Sequence, residues 1–405
     1  MFVAVKNLME SESVTFVCFS RWNIAVSMVI TALILALLAV AAPTAVRAQV
    51  IDTTAKQSIM VDLTTGSVLL EKDADVRMPP ASMSKLMTVY MVFERLKEGR
   101  LSLDDKFQVS AKAWRMGGSK MFVMVNTRIK IRDLLRGIIV QSGNDACIVI
   151  AEGLSGSEED FAEAMTKRAA EIGLTNSAFK NATGWPAEGH YMSARDLATL
   201  STKLIQDFPE YYGIFAEKGF AYGGIKQGNR NPLLYKGFGA DGLKTGHTEA
   251  SGYGLTVSAV RKERRLVLVV NGLSSTRERS SESARLLEWA FRETGSYALF
   301  KKGDTVGHGD VWLGDVPRVS LVAERNLTIT LPQRSRRDMK VKLVYNNPIP
   351  APVQKGSIVG KVVISTPRQT DIELPVVAGE SVGQLGMLGR LNAALKYLIW
   401  GKSGA

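Results

Sequence analysis

Histidine is scarce in this chain, which has only His190, His247 and His308 among 405 residues. No Ser-His-Asp order and no H-E-x-x-H pattern can be formed from them, which excludes the common histidine-based hydrolase triads and zinc peptidase motifs. A zinc site of another kind would also lack ligands, because zinc is bound mainly by cysteine and histidine. We therefore expect no metal and no cofactor.

Cysteine is equally rare, since the chain contains only Cys18 and Cys147. Cys18 lies in an N-terminal segment that we expect to be removed, so the mature chain has no pair for an intrachain disulfide. Cys147 follows Asp145 and Ala146 in an apolar run, where a small buried side chain is expected and not a nucleophile.

The N-terminal segment is almost wholly apolar over residues 24–42 and is followed by Pro43 and a small-residue pattern that ends at Ala48. This arrangement predicts a secretory signal peptide over residues 1–48, cleaved after Ala48. The alternative is an uncleaved membrane anchor, because such a run is nearly long enough to span a bilayer. The helix-breaking proline and the small residue at the cleavage point favour cleavage.

The chain is basic, with a formal net charge of +12. Residues 1–48 contain three cations and two anions, so the mature chain keeps about +11. A basic exported protein favours an anionic membrane surface or polymer. No glycine-rich phosphate loop or aromatic RNA-binding motif accompanies the charge, and we expect no nucleic-acid partner.

The order of the periodic segments predicts an α+β domain over residues 49–295, because helices are grouped between an early hairpin and late strands. The hairpin covers 57–72; helices begin near 82, 131, 158, 193 and 279; strands are expected at 243–246, 253–260 and 266–270. Short strands separated by turn residues predict a small β-sandwich-like domain over 296–380.

The last segment, residues 381–405, is predicted to form an amphipathic helix. Its leucines recur at helical spacing opposite Arg390 and Lys396, and Trp400 and Lys402 stand near its end. Such a stretch is too short and too charged to span a bilayer, and it suits the membrane interface. The alternative is a helix docked on the β domain.

Three short motifs in fixed order indicate the chemistry: S-x-x-K at 82–85, S-x-N at 142–144 and K-T-G at 244–246. Each motif alone is weak evidence, because a serine and a lysine one helical turn apart are common on surfaces. Together in one domain they are typical of serine acyltransferases that use lysine in place of histidine as the base. The pKa of a lysine falls when the amine is desolvated or placed among other cations, so it can accept a proton near neutral pH.

The motifs assign a role to each polar residue. Ser82 is predicted to be the nucleophile, in the first turn of a helix, and Lys85 its base one turn further on. Ser142 would relay a proton to the leaving amine, and Asn144 would hold Lys85 and a substrate amide.

The third motif is predicted to bind substrate. Lys244 and Thr245 would bind its carboxylate, and Gly246 would let it lie close to the strand. Backbone N–H groups of Ser82 and His247 would form the oxyanion hole.

Beyond the triplets, the chain resembles the low-molecular-weight penicillin-binding proteins of the D-alanyl-D-alanine carboxypeptidase family. The resemblance is carried by the extended signatures at residues 141–146, 191–196 and 241–248 and covers nearly the whole mature chain. It implies a penicilloyl-serine transferase (β-lactamase-like) catalytic domain with an antiparallel sheet and a helical cluster. The substrate implied is the D-Ala-D-Ala end of peptidoglycan stem peptides, with β-lactam antibiotics as covalent inhibitors.

The resemblance also implies a peripheral protein on the periplasmic side of the cytoplasmic membrane, held by its terminal helix. Alternatives with the same fold are a D,D-endopeptidase and a β-lactamase, and a further one is an inactive peptidoglycan-binding scaffold. Several relatives use an arginine for the terminal carboxylate, and Arg279 is favoured over Arg277 as its counterpart. Glu188 is the nearest candidate for the deacylating carboxylate of class A β-lactamases, and an exposed loop charge is the favoured interpretation.

Overall fold

The computed structural model describes residues 51–366 and 371–400. The predicted signal peptide lies outside these residues. The helices are α1 (Lys85–Lys97), α2 (Ala111–Arg115), α3 (Ile131–Ile139), α4 (Asn144–Ser155), α5 (Glu158–Glu171), α6 (Ala194–Asp207), α7 (Pro209–Tyr212), α8 (Thr276–Glu293) and α9 (Met387–Trp400).

The strands fall into one large antiparallel sheet, a second six-stranded sheet and three two-stranded pairs. They are β1 (Gln57–Asp62), β2 (Ser67–Lys72), β3 (Lys106–Gln108), β4 (Arg128–Lys130), β5 (Gly219–Tyr222), β6 (Ile225–Gly228), β7 (Ala240–Thr248), β8 (Gly252–Arg261), β9 (Arg264–Leu273), β10 (Thr294–Phe300), β11 (Thr305–Trp312), β12 (Arg318–Ala323), β13 (Leu327–Pro332), β14 (Lys340–Tyr345), β15 (Ile349–Pro350), β16 (Ile358–Ser365) and β17 (Ile372–Ala378). The structure confirms the predicted α+β class.

The catalytic sheet has the order β2-β1-β9-β8-β7, so that β7 forms one edge. Its central strand β9 carries apolar side chains on both faces, because the helical cluster covers one face and α8 covers the other. Val267 and Val269 contact the helical cluster, whereas Leu266, Leu268 and Val270 contact α8. The sheet is therefore a rigid middle layer, and its free edge at β7 is where a substrate can lie.

The second sheet has the order β14-β16-β17-β12-β11-β15 and is accompanied by the β10–β13 pair. These strands enclose an apolar core of their own, to which Val319, Leu321 and Val376 contribute. The sequence analysis missed β10 and β12. The predicted boundary between residues 295 and 296 falls inside β10.

A buried ion pair of the catalytic sheet is also hydrogen-bonded to the β10–β13 pair. The Asp62 carboxylate at the end of β1 accepts a hydrogen bond from Arg264 Nε at 2.8 Å. The same carboxylate accepts from Thr330 Oγ1 at 2.8 Å and from Ser296 Oγ at 3.1 Å, both in the β10–β13 pair. The backbone N–H of Thr64 also donates to Asp62 Oδ1 at 3.0 Å. Because Asp62 is fully buried, its charge is compensated by partners within the protein and not by water.

Replacing Asp62 with asparagine should therefore lower the free energy of unfolding by about 3 to 5 kcal/mol, since Arg264 would remain as an unpaired buried cation. Urea unfolding of the full chain measures this. The matched control is Glu373→Gln, which breaks the exposed Lys361–Glu373 pair and should change stability by about 1 kcal/mol or less. Equal effects of the two substitutions would contradict the account of the junction.

Candidate active site

The nucleophile motif begins in a 3-10 turn, Ala81–Ser84, that leads directly into α1. Ser82 was predicted in the first turn of a helix, and the structure has it in this 3-10 turn, one turn before the α-helix proper. Ala81 adopts a φ of +48°, and this left-handed residue after Pro80 starts the chain in a tighter turn. Lys85, the first residue of α1, still reaches back, and its Nζ lies 2.8 Å from Ser82 Oγ.

Lys85 is fully buried, and its ammonium donates to the carbonyl oxygen of Thr183 at 2.5 Å. Burial is the main cause that lowers the pKa of Lys85 to about 8. A lysine with this pKa is partly deprotonated near neutral pH, and its Nζ is hydrogen-bonded to the Ser82 hydroxyl. The predicted pairing of nucleophile and base is therefore present in the geometry.

The second motif lies between α3 and α4. Ser142 adopts a φ of +60°, which is unusual for a residue with a side chain and is often found at functional sites. Its hydroxyl oxygen accepts a hydrogen bond from Lys244 Nζ at 2.9 Å. The S-x-N turn and the K-T-G strand are thus joined directly by this hydrogen bond.

Asn144, the first residue of α4, was predicted to hold Lys85, but no hydrogen bond joins the two side chains among the described residues. Its Nδ2 donates to the carbonyl oxygen of Gly117 at 2.9 Å, and Lys85 is held by the Thr183 carbonyl in its place. Asp145 fixes the same loop, because its buried carboxylate accepts backbone N–H groups of Met121, Phe122 and Val123. Sequence reasoning had given Asp145 no role.

The third motif lies on the edge strand β7, where Lys244 and Thr245 are buried. Burial, followed by the nearby charge of Lys85, lowers the pKa of Lys244 well below its ordinary value. The motifs predicted that Lys85 and Lys244 lie close enough for each charge to act on the other. The effect of Lys85 on the pKa of Lys244 agrees with that prediction.

The sequence analysis explained the glycine at position 246 by the close approach of substrate. The structure gives another explanation, which is packing within the protein. A Cβ atom at Gly246 would lie 2.8 Å from the carbonyl oxygen of Pro80 and 3.3 Å from Cβ of Ala81. The glycine therefore lets β7 pack against the turn that carries Ser82. It brings the K-T-G strand and the nucleophile together, which is a packing requirement within the protein.

His190 is a buried residue that sequence reasoning passed over. Its Nδ1 accepts from the backbone N–H of Lys180 at 3.2 Å, so Nε2 carries the proton and donates to Ser84 Oγ at 2.8 Å. Burial lowers the pKa of His190 to about 4, which keeps the ring neutral. His190 links the S-x-x-K turn to the loop that contains Thr183, through its hydrogen bonds with Ser84 and Lys180. It is not a base for Ser82.

Arg279 is buried near the first turn of α8, whereas Arg277 is exposed. Burial is the main cause that lowers the pKa of Lys244, followed by the charges of Lys85 and Arg230, and Arg279 contributes least among the cations. These observations favour Arg279 over Arg277 as the arginine for the substrate carboxylate, as the sequence analysis did. Two minor predictions also agree with the structure, since Cys147 is buried and Glu188 is exposed.

Comparison with known proteins gives consistent matches over both sheets. A family model described as D-alanyl-D-alanine carboxypeptidase matches residues 42–275, and a model of the penicillin-binding protein 5 C-terminal domain matches residues 296–384. The chain is 37% identical to the D-alanyl-D-alanine carboxypeptidase DacC of Escherichia coli, over 87% of this chain and 90% of that protein.

Solved structures show the same fold. Penicillin-binding protein 5 from Haemophilus influenzae matches with a TM-score of 0.76 and 36% identity, covering 82% of this chain and 99% of that one. Penicillin-binding protein D2 from Listeria monocytogenes, solved in an ampicillin-bound form, matches with a TM-score of 0.55 and 29% identity, over 60% of this chain and 99% of that one.

Proposed function

This chain belongs to the D-alanyl-D-alanine carboxypeptidase family of penicillin-binding proteins, and on that premise we propose how its residues perform the reaction. The protein is a serine-type D-alanyl-D-alanine carboxypeptidase that acts on peptidoglycan peptides. One observation carries the proposal for its mechanism: a fully buried lysine whose Nζ lies 2.8 Å from the hydroxyl oxygen of Ser82.

In the acylation step, the Ser82 hydroxyl transfers its proton to neutral Lys85 while Oγ attacks the carbonyl carbon of the penultimate D-alanine. Backbone N–H groups of Ser82 and His247 stabilise the resulting oxyanion. The C–N bond then breaks while the proton taken up by Lys85 is relayed through Ser142, whose hydroxyl contacts Lys244, to the leaving nitrogen, so that D-alanine departs as a free amine and Lys85 is neutral again. Water next attacks the ester carbonyl and gives its proton to Lys85. The acyl C–O bond breaks, the shortened peptide leaves as its acid, and the proton returns from Lys85 to Ser82 Oγ.

Recognition of the substrate carboxylate is assigned to Thr245, Lys244 and Arg279. Arg279 is mostly buried, and its Nε has no hydrogen-bond partner among the described residues. A buried N–H donor without a hydrogen-bond partner is unfavourable, so this guanidinium is suited to an anionic ligand. The decisive assay is release of free D-alanine from a pentapeptide; opening of crosslinks alone would indicate an endopeptidase.

The rate of acylation should depend on the ionisation of Lys85. Below its pKa of about 8 the ammonium is protonated and cannot accept the proton of Ser82. We therefore expect the rate to rise about tenfold per pH unit at low pH and to level off above pH 8. The second-order rate of labelling by a fluorescent penicillin, measured from pH 6 to 9.5, tests this. A rate that is flat or falls over this range would rule out Lys85 as the base.

The terminal helix α9 is proposed to attach the enzyme to the membrane surface. Leu388, Leu391 and Leu395 lie three and four residues apart on one face, and their exposed fractions are 83%, 60% and 49%. That exposure supports a lipid-facing helix over one docked on the β domain. Among the described residues, no helix has both the length and the apolar character needed to cross a bilayer. The predicted roles of the Trp400 and Lys402 side chains concern atoms outside the described part of the chain.

Removing residues 384–405 should release an active enzyme into the soluble periplasmic fraction, because the exposed leucines are then lost. Fractionation and penicillin labelling measure location and activity. Leu388→Asp in the full chain is a milder version and should also weaken membrane retention. A truncated enzyme that remains in the membrane pellet would support the uncleaved anchor, and loss of labelling would assign the helix to the globular core.

We further propose that the enzyme is exported by cleavage after Ala48 and acts on the periplasmic side of the cytoplasmic membrane. Its relatives are cell-wall enzymes, which supports this placement.

A further inference from the structure

The ring of Tyr253 contacts two parts of the cleft that the proposed mechanism uses. Tyr253 on β8 lies directly opposite His247 on β7 in the antiparallel register. Their rings stack with centroids 3.9 Å apart and an interplanar angle of 27°. His247 is the residue whose backbone N–H is assigned to the oxyanion hole, so this stack holds the end of the K-T-G strand.

The same ring contacts the arginine assigned to the substrate carboxylate. The guanidinium carbon of Arg279 lies 5.7 Å from the centroid of the Tyr253 ring, within the range of a cation–π interaction. Arg279 is only 8% exposed, and its Nε has no hydrogen-bond partner in the described part of the chain.

Arg264 on β9, which is also mostly buried, has different partners. Its Nε donates to the Asp62 carboxylate, so its donors are used within the protein. An aromatic ring restricts a guanidinium without occupying its N–H donors. Tyr253 can thus fix Arg279 and leave Nε free for a ligand.

We infer that Tyr253 is a positioning residue for carboxylate recognition: it holds Arg279 so that the guanidinium meets the C-terminal carboxylate of the substrate. The inference rests on the proposed role of Arg279. It predicts that loss of the ring weakens binding of the carboxylate in particular. The acylation chemistry at Ser82 should be retained, because the β7–β8 ladder still holds the backbone of His247 when the ring is absent.

The test compares a D-Ala-D-Ala peptide with the same peptide amidated at its C-terminus. The wild-type enzyme should prefer the carboxylate in kcat/KM by roughly 10- to 100-fold, as expected for charge-assisted hydrogen bonds. Arg279→Gln should remove most of this preference. Tyr253→Leu should do the same, mainly by raising KM for the carboxylate peptide.

Three further variants complete the experiment. Tyr253→Phe keeps the ring and should retain the preference, and Tyr253→Leu combined with Arg279→Gln should lose little more than either alone. Tyr297→Leu is the matched control, because it removes another tyrosine–arginine contact, with Arg336 at 4.8 Å, in the β domain. That control should leave the preference unchanged.

Each remaining outcome is decisive. If Arg279→Gln keeps the preference, the proposed role of Arg279 fails. If Arg279→Gln loses it and Tyr253→Leu does not, only the inference about Tyr253 is overturned. Equal loss on both peptides would make Tyr253 a structural residue, and thermal unfolding would show whether the fold is weakened. If Tyr253→Leu does not fold, Tyr253→Thr, which suits a strand, replaces it in the same comparison.

Discussion

Replacing Ser82 with alanine should abolish both D-alanine release and covalent labelling by penicillin. The loss in kcat should be on the order of 10⁶-fold, the size found when a serine hydrolase loses its nucleophile. The reason is that no ester can form without Oγ, however well the cleft binds substrate. The variant should unfold at a temperature close to that of the wild type, because Ser82 is partly exposed and its hydroxyl forms one hydrogen bond, with Lys85, among the described residues.

Ser84→Ala is the matched control, since Ser84 lies in the same turn and its hydroxyl contacts His190. It should still form the penicilloyl adduct. If Ser82→Ala keeps the adduct and Ser84→Ala loses it, the nucleophile has been assigned to the wrong serine.

Replacing Lys85 with arginine should slow acylation on the order of 10³-fold, the usual contribution of a general base. Arginine keeps the positive charge but stays protonated at any accessible pH, so it cannot accept the proton of Ser82. The substitution therefore separates proton transfer from electrostatic stabilisation. Lys85→Gln, which removes the charge as well, should be impaired to a similar degree.

The control for this substitution is Lys97→Arg, at the exposed end of the same helix, where the lysine ammonium donates to the carbonyl of Asp207. It should label at the wild-type rate. An active Lys85→Arg enzyme would show that the charge, and not the base, is what the site requires.

Local patterns in the sequence predicted much of this structure. The apolar periodicity of residues 131–139 predicted helix α3 with its observed ends, and S-x-x-K spacing predicted that Lys85 reaches Ser82. Both depend on neighbours within one or two helical turns. The motifs placed Ser142 and Lys244 in one cleft, but the hydrogen bond between them, across 102 residues of sequence, is known only from the structure.

Contacts that depend on the packing of distant segments could not be predicted from comparable patterns in the sequence. The carbonyl of Thr183, which holds Lys85, is a backbone group and has no residue-type signature. The Ser84–His190 hydrogen bond joins residues 106 positions apart, and a single histidine in a glycine-containing loop does not indicate a partner.

Two local errors have physical causes of the same kind. The spacing of Ser193 and Asp196 is typical of a capping box, but the Asp196 carboxylate accepts hydrogen bonds from Asn176 and Ser177 in the structure. Only the Ser193 side chain caps α6. Strand β10 was missed because it follows α8 without a turn between them.

The most direct test of the central claim is mass spectrometry after brief exposure of the full chain to penicillin. Trypsin should release residues 78–85 as one peptide, which contains both Ser82 and Ser84. Since Glu188 is exposed and no deacylating carboxylate is assigned, the account predicts a long-lived penicilloyl adduct on this peptide, and fragmentation should place it on Ser82. An adduct on Ser84 or another peptide, or rapid multiple turnover of penicillin with no adduct, would contradict it.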